Sequence, residues 1–175
     1  MVIAIAGDHQ EVQNGEYYLK PGYIFLAMGR ILISTVVGSC VAICLWDRKN
    51  KFGGMSHFLY PIVTGPQEAT AKYGNVGTLT LIRMMVSEGS EHSLLEAQLF
   101  GGGDILTEEG PNIGRQNVEI ARKILNRHGI PIVSEDVGGS KGRKLIYDTG
   151  NNQAVILKVD RIRQEDWYPY RATTS

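Results

Sequence analysis

A cysteine and a histidine, Cys40 and His57, are the strongest candidates for a reactive pair in this sequence. Cys40 follows a Gly-Ser pair at the start of an apolar run, and His57 comes 17 positions later, beyond a polar turn at residues 47–50. A cysteine attacks as the thiolate, but a free thiol titrates near pH about 8.5, so it needs a basic or cationic neighbour. The two residues are therefore either a nucleophile with its base or ordinary members of a buried sheet.

The residues around the pair predict a β-hairpin that would bring the two side chains together. Residues 36–46 are β-branched and apolar, which is typical of a strand buried on both faces. After the polar turn, residues 52–61 have the composition of a second strand that ends at a proline. Equal distances from the turn place Cys40 opposite residues 56–58, where His57 lies. A slip of one residue would move His57 to the other face of the sheet.

Two further groups are needed for a cysteine nucleophile to work. The backbone N–H groups around Gly38 and Ser39 could stabilise an oxyanion, and a hydroxyl could hold the imidazole in one tautomer. Ser34 and Thr35 are the nearest hydroxyls, and both remain open. The alternative is a packed cysteine, since Cys is among the residues most often buried. Cys44, within "VAICLW", is interpreted as such a core residue.

Other motifs carry weaker hypotheses. The "GGGDIL" segment at 101–106 resembles a phosphate-binding loop, but it lacks the G-x-G-x-x-G spacing and the Lys-Ser/Thr pair, so a flexible wall of a cleft is the alternative. Asn112 is predicted to cap a helix. Arg115 and Asn117 would face either a substrate or, as the simpler interpretation, solvent. The loop at 135–145 is either a partner-binding edge or a solvated turn.

Composition and charge exclude several classes of protein. The 175 residues fit one domain with a sizeable core. Lys plus Arg equal Asp plus Glu, at 18 each, so no excess of positive charge points to nucleic acid or to an anionic membrane. No basic segment precedes an apolar start, and no run approaches the roughly 20 apolar residues of a spanning helix. We therefore expect a cytoplasmic protein without membrane insertion.

Cysteine usage and histidine spacing argue against disulfides and metals. In the cytoplasm the two cysteines are expected to be thiols. The four histidines are scattered, without the paired spacing of metal ligands, so no metal is expected. No sustained apolar heptad is present, which favours a monomer.

The rest of the chain predicts an α/β class. Apolar positions at helical spacing predict one helix beginning near Gly77 and a second following Asn112. Strands are expected over 94–103 and 130–137, and a hairpin over 143–159. These elements predict a mixed sheet, or a pair of sheets, covered by helices.

Five segments, in order, resemble the CheD family of bacterial chemoreceptor glutamine deamidases. The resemblance runs over about residues 22–160 and leaves 161–175 as a C-terminal tail of the single domain. The segments are "VGSCVAICLWD", "GGMSHFLYP", "AQLFGGGDIL", "NIGRQNVEIARKIL" and "IPIVSEDVGGSKGRKLIYDTGN". The family implies a layered sandwich of mixed and antiparallel sheets with flanking helices, similar to deamidating toxin domains.

The resemblance also implies roles for individual residues. Cys40 corresponds to the nucleophile and His57 to its histidine. The family's third member is a threonine six residues before the cysteine. Ser34 holds that position here, with Thr35 beside it, so the spacing favours Ser34 and leaves Thr35 open.

The implied activity is deamidation of glutamines in chemoreceptors through a cysteine thioester, with a role in chemotaxis adaptation and no cofactor. Receptor cytoplasmic helices would be the substrate, in a shallow groove rimmed by residues 62–75 and 101–103. Two other functions stay open. The protein could act mainly as a binding partner of a CheC-type phosphatase, or as a thiol hydrolase on receptor methyl esters.

Overall fold

The structure is a computed structural model that describes residues 2–5, 12–104 and 112–167. The strands are β1 (Val2–Ile5), β2 (Glu16–Tyr18), β3 (Tyr23–Ala27), β4 (Leu32–Val37), β5 (Val41–Asp47), β6 (Phe52–Phe58), β7 (Leu95–Gly101), β8 (Ile132–Val137), β9 (Gly142–Asp148) and β10 (Gln153–Val159). The α-helices are α1 (Gly74–Ser87), α2 (Ile113–Arg127) and α3 (Gln164–Trp167). Short 3-10 turns lie at Pro66–Glu68 and His92–Leu94. Residues 105–106 of the glycine-rich segment and 168–175 of the tail lie outside the described residues.

The strands form two mixed sheets. The first sheet has six strands in the order β1-β3-β6-β5-β7-β8, and its only parallel pair within the described residues is β7 with β8. The second has four strands in the order β10-β9-β4-β2, with β2 parallel to β4. The predicted α/β class with mixed and antiparallel sheets is confirmed.

The layers stack as helices, first sheet and second sheet. Helices α1 and α2 pack on one face of the first sheet, where Ile43, Leu81 and Leu125 belong to one apolar cluster. The opposite face of that sheet packs on the second sheet through another cluster, which includes Phe25 and Tyr147. The first sheet is therefore covered on both faces, as the apolar run of its central strand predicted.

Strand β5 shows how the sequence produces this arrangement. All seven of its residues are buried. Because side chains alternate along a strand, Val41, Ile43 and Leu45 belong to the cluster under the helices, while Ala42 and Cys44 belong to the cluster between the sheets. The β5–β6 hairpin is confirmed, with Ala42 directly opposite His57.

One element prediction is wrong. The apolar run over 36–46 was interpreted as a single strand broken by Gly38, but it contains the end of β4 in the second sheet and the beginning of β5 in the first. Residues 38–40 carry the chain from one sheet to the other. A continuous apolar pattern cannot reveal this change of sheet, because both strands are buried.

Helix α2 begins as predicted. The Asn112 side chain accepts a hydrogen bond from the backbone N–H of Arg115 at 2.8 Å, which is the expected N-cap contact.

None of the helices in the described ranges is both long and apolar enough to cross a bilayer.

Candidate active site

The crossing between the sheets carries the candidate nucleophile. We call residues 38–40 the nucleophile loop. Its three carbonyl groups each accept a hydrogen bond, from the backbone N–H of Gly103 at 2.8 Å, the Nδ2 of Asn117 at 2.9 Å and the backbone N–H of Gly102 at 2.8 Å, in chain order. Contacts from a strand end and a helix therefore hold every peptide of this short loop.

Two backbone N–H groups of the nucleophile loop influence the Cys40 sulfur. The N–H groups of Cys40 and Gly38 lower the pKa of the Cys40 thiol and so favour its thiolate form. Donors that favour a thiolate are well placed to hold the oxygen of a carbonyl that the sulfur attacks. The sequence prediction named Gly38 and Ser39, whereas the contacts in the structure involve Gly38 and Cys40.

Cys40 and His57 lie on the same face of the first sheet. His57 is opposite Ala42, and Cys40 shares the face of Ala42 because it is two residues away. Continuing the register by one pair places Leu59, not 56–58, opposite Cys40. His57 lies two residues before Leu59 in the chain. It is therefore a diagonal neighbour of Cys40 and lies on the same face of the sheet.

Both side chains lie at the inter-sheet face, but only one touches solvent. Cys40 is 8% exposed, whereas His57 is fully buried at 0%. Cys40 therefore keeps slight contact with solvent, whereas the imidazole lies in the protein interior.

A hydroxyl from the second sheet fixes the imidazole tautomer. Thr35 Oγ1 donates to the Leu19 carbonyl at 2.7 Å and lies 2.8 Å from His57 Nδ1. A hydroxyl has one hydrogen, so Thr35 must accept from a protonated Nδ1. The lone pair is then on Nε2, which is the form that can act as a base.

The preference for Ser34 as the orienting hydroxyl is wrong in geometry. Ser34 lies opposite Ile146, which is 46% exposed, whereas Thr35 lies opposite the buried Leu145. Adjacent residues of a strand point to opposite faces, so Ser34 is on the outer face of the second sheet. Of the two hydroxyls left open, Thr35 is the one in contact with His57.

Burial holds the candidate pair neutral. Desolvation raises the pKa of the Cys40 thiol to about 11, against the smaller effect of the N–H groups of Cys40 and Gly38. Desolvation also lowers the pKa of the His57 imidazole to about 3, opposed by a hydrogen bond to the Leu19 carbonyl. The sequence argument required a thiolate in the resting protein. The structure differs because a thiolate–imidazolium pair would place two charges in a desolvated layer.

We expect a thiol-alkylating reagent to label Cys40 well before Cys44. Cys44 is fully buried, and burial raises its pKa well above the ordinary value. Labelling of Cys40 should accelerate by about tenfold per pH unit between pH 8 and 10, because the thiolate fraction grows until the pH reaches the pKa near 11. Mass spectrometry of iodoacetamide-treated protein, with Cys44→Ala as control, measures both rates. A rate that is already constant at pH 8 would contradict a neutral resting pair.

The described part of the glycine-rich segment, residues 101–104, supports the nucleophile loop and does not form a phosphate cradle. The N–H groups of Gly102 and Gly103 bind carbonyls of that loop, so they are occupied. Gly101 has φ of +106°, and a Cβ there would collide with the Cys40 carbonyl oxygen. Only glycine fits this position.

The neighbouring loop within 135–145 packs on the same glycines. Gly138 N–H donates to the Gly101 carbonyl at 2.9 Å, and Asp104 N–H donates to the Gly139 carbonyl at 2.8 Å. Arg143, only 2% exposed, binds Asp136 at 2.8 Å. These contacts show a docked loop and not a free solvated turn.

The two candidates on α2 have different surroundings. Arg115 is exposed and pairs with Glu119 at 2.9 Å, as a solvated helix face would. Asn117 is fully buried, so the interpretation of it as a solvent-facing residue is wrong. The helical spacing of the sequence could have predicted this burial, because positions 117, 121 and 124 lie on the apolar stripe of the helix.

Within the ranges 2–5, 12–104 and 112–167, no three His, Cys, Asp or Glu side chains are grouped as metal ligands.

Comparisons with known proteins agree on one family. The model for CheD chemotactic sensory transduction matches residues 62–158. A relative from Sulfurimonas denitrificans, named probable chemoreceptor glutamine deamidase CheD, is 35% identical and aligns over 82% of this chain and 94% of that protein. A relative of the same name from Trichlorobacter lovleyi is 38% identical, over 77% of this chain and 84% of that protein.

A search of solved structures gave a weaker similarity. The crystal structure of the Bacillus licheniformis hypothetical protein YfiH has a TM-score of 0.41 and 14% identity, over 63% of this chain and 46% of that one. Similarity at this level supports no conclusion about mechanism.

Proposed function

The chain belongs to the CheD family, and on that basis we propose that it is a deamidase that converts glutamine side chains of chemoreceptors to glutamate. The observation that carries the proposal is the Leu19–Thr35–His57 relay on the same buried face as Cys40. It holds the imidazole in the tautomer of a base, on the sheet face that also carries the Cys40 thiol. A purely packed cysteine would need neither the relay nor the N–H groups that lower the pKa of its thiol.

In the first step, His57 acts as a general base. Nε2 takes the proton from Cys40 as Sγ attacks the amide carbon of the glutamine, and the carbonyl π electrons move to oxygen. The N–H groups of Gly38 and Cys40 stabilise this oxyanion. Because thiol and imidazole are neutral in the resting protein, proton transfer accompanies attack and does not precede it.

In the second step, the intermediate collapses. The carbon–nitrogen bond breaks, the imidazolium of His57 protonates the departing nitrogen as ammonia, and a Cys40 thioester remains. The burial that lowers the pKa of His57 makes its imidazolium a strong acid, which favours this transfer. Neutral His57 then activates water, which hydrolyses the thioester to glutamate and restores the thiol.

The proposal extends to partners and location. Deamidation adds a negative charge to a receptor helix, which changes the repulsion between neighbouring side chains and so supports a role in chemotaxis adaptation. We place the protein in the cytoplasm as one domain, with receptor cytoplasmic helices as substrate. A CheC-type phosphatase is the expected second partner, and co-elution of the two purified proteins tests it.

The test of function is peptide mapping of a receptor cytoplasmic fragment after incubation with the protein. We expect defined glutamines to become glutamates, with one ammonia released for each conversion. Cys44→Ala should convert them at the rate of the parent protein. Hydrolysis of receptor methyl esters without any amide conversion would reject the deamidase in favour of the other thiol hydrolase.

Thr35→Val is expected to lower kcat for deamidation by about 10- to 100-fold, by analogy with the loss of a group that orients a metal-binding histidine. Valine has the same shape but cannot accept from Nδ1, so Nε2 loses its defined role. Steady-state kinetics measures the effect. Thr35→Ser keeps the hydroxyl and should retain most activity, and Ser34→Ala should behave like the parent. The reverse order of the Thr35 and Ser34 variants would refute the assignment.

A further inference from the structure

Asn117 is a buried polar residue that the mechanism above does not use. Its side chain is fully buried, and Nδ2 donates to the carbonyls of Ser39 and Leu59, both at 2.9 Å. An amide NH₂ has two hydrogens, so one is used on each carbonyl. The first carbonyl directly precedes the nucleophile, and the second lies two residues after the base.

These two contacts continue the β5–β6 pairing after its ladder ends. The last paired residues at this end of the hairpin are Val41 and Phe58. Beyond this pair, the Asn117 side chain bridges the Ser39 and Leu59 carbonyls in place of a direct backbone hydrogen bond. The side chain therefore sets how far the nucleophile loop stands from the strand that carries His57.

The contact with Ser39 also fixes the direction of a catalytic donor. The Ser39 carbonyl and the Cys40 N–H belong to one planar trans peptide, in which they point in opposite directions. Since Asn117 holds the oxygen, the N–H must face away from the helix. That N–H is one of the two that lower the pKa of the Cys40 thiol.

Helix α2 packs against Gly102 and Gly103, the residues whose N–H groups bind the nucleophile loop. Gly114 packs so closely on the backbone of Gly102 and Gly103 that a Cβ would collide with them. The first turn of the helix, one turn before Asn117, therefore has a fixed position relative to the nucleophile loop.

The oxygen of the Asn117 amide indicates that this position requires the N–H donors of the side chain. Asn117 Oδ1 is buried and has no hydrogen-bond partner among the described residues. A buried acceptor without a partner is costly, and an aliphatic side chain would avoid that cost. The two donors are thus the feature that the structure uses.

We propose that Asn117 is a positioning residue for the deamidation reaction, which orients the Ser39–Cys40 peptide so that its N–H binds the oxyanion. This inference rests on the proposed function, because it concerns an intermediate of that reaction. Asn117 acts through the peptide and does not touch the substrate.

The test compares two reactions of the same sulfur in Asn117→Leu and Asn117→Ala. Deamidation passes through an oxyanion, whereas alkylation by iodoacetamide does not, so alkylation depends on the oriented N–H only through its effect on the thiol pKa, which is smaller than that of burial. We expect kcat to fall by at least about tenfold with KM within about twofold of the parent, and the Cys40 alkylation rate to fall by much less than kcat, since loss of one oxyanion donor acts on the transition state.

Two controls separate positioning from folding. Gln116→Ala changes the exposed neighbour on the helix and should leave kcat unchanged. Ile124→Ala removes buried apolar contacts two turns away and should lower Tm with kcat retained. If the leucine variant does not fold, the alanine variant supplies the comparison at a matched loss of Tm.

The outcomes distinguish the two proposals. Full kcat in both Asn117 variants, with an active parent and an inactive Cys40→Ala, would overturn the positioning role and leave the deamidase intact. A parallel loss of alkylation and deamidation would show general loosening of the site and would also overturn it. An inactive parent would remove the proposed function itself.

Discussion

Cys40→Ala is expected to lower the rate of glutamine conversion by at least about 10⁴-fold, because removal of a covalent nucleophile leaves only binding and oxyanion stabilisation. The substitution removes one sulfur from a residue that is 8% exposed at the end of a loop. The backbone contacts of this loop do not depend on the side chain. The variant should therefore fold with nearly the Tm of the parent while its activity is lost.

Cys44→Ala is the matched control for this experiment. Cys44 lies on the same strand face, four residues further along, and is completely buried. Its loss should cost some stability by leaving a small cavity but should not reduce kcat. Peptide mapping of the receptor fragment quantifies both variants. Residual conversion by Cys40→Ala at a rate near that of the parent would exclude a cysteine mechanism.

His57→Gln is expected to reduce kcat by about 10²- to 10⁴-fold, the usual contribution of a general acid–base group. Glutamine keeps an amide that can donate to Thr35, so the relay retains a partner, but it cannot accept the Cys40 proton. Measured kcat at pH 7 tests this expectation. Wild-type activity in the variant would show that another group deprotonates the thiol.

The same variant tests whether His57 is neutral in the folded protein, through the pH dependence of the free energy of unfolding. The pKa of His57 is about 3 in the folded protein, against 6.5 for the unperturbed group. Between these values the unfolded chain binds a proton that the folded chain does not. The free energy of unfolding therefore falls by about 1.4 kcal/mol for each pH unit as the pH drops below 6.5.

Urea unfolding at pH 7 and pH 5 measures this linkage. His57→Gln lacks the titrating group, so its stability should fall less than that of the parent, by about 2 kcal/mol over the interval. Carboxylates such as Asp136 and Asp148, whose pKa values are lowered in the fold, contribute equally to both proteins. Equal losses in the two proteins would show that His57 is not held neutral by burial.

The neutral state of Cys40 and His57 affects which reagents can react with the thiol. A thiol with a pKa of about 11 reacts slowly with oxidants and alkylating agents at neutral pH. In the proposed mechanism, it becomes a nucleophile only when a carbonyl is placed beside the N–H groups of Gly38 and Cys40. The burial that opposes ionisation in the resting protein thus limits the chemistry to a bound substrate.

Local patterns in the sequence were sufficient for the elements that carry the site. The polar turn at 47–50 between two apolar runs predicted the β5–β6 hairpin, and helical periodicity with Asn112 predicted α2. The types of Cys40 and His57, with their separation across that turn, identified the candidate pair. These features depend on residues close in the chain, and their side-chain periods of 2 and 3.6 are visible in one dimension.

Contacts between distant segments were decided only by the tertiary structure. Ser34 and Thr35 are adjacent hydroxyls on one strand, and which of them reaches His57 depends on which face of the second sheet packs inward. Asn117 became part of the site because α2 lies over the nucleophile loop. The neutral state of Cys40 and His57 has the same origin, since desolvation arises only when two sheets close over both groups. A sequence determines the side chains and their local order, whereas burial and inter-sheet distance are properties of the packed layers.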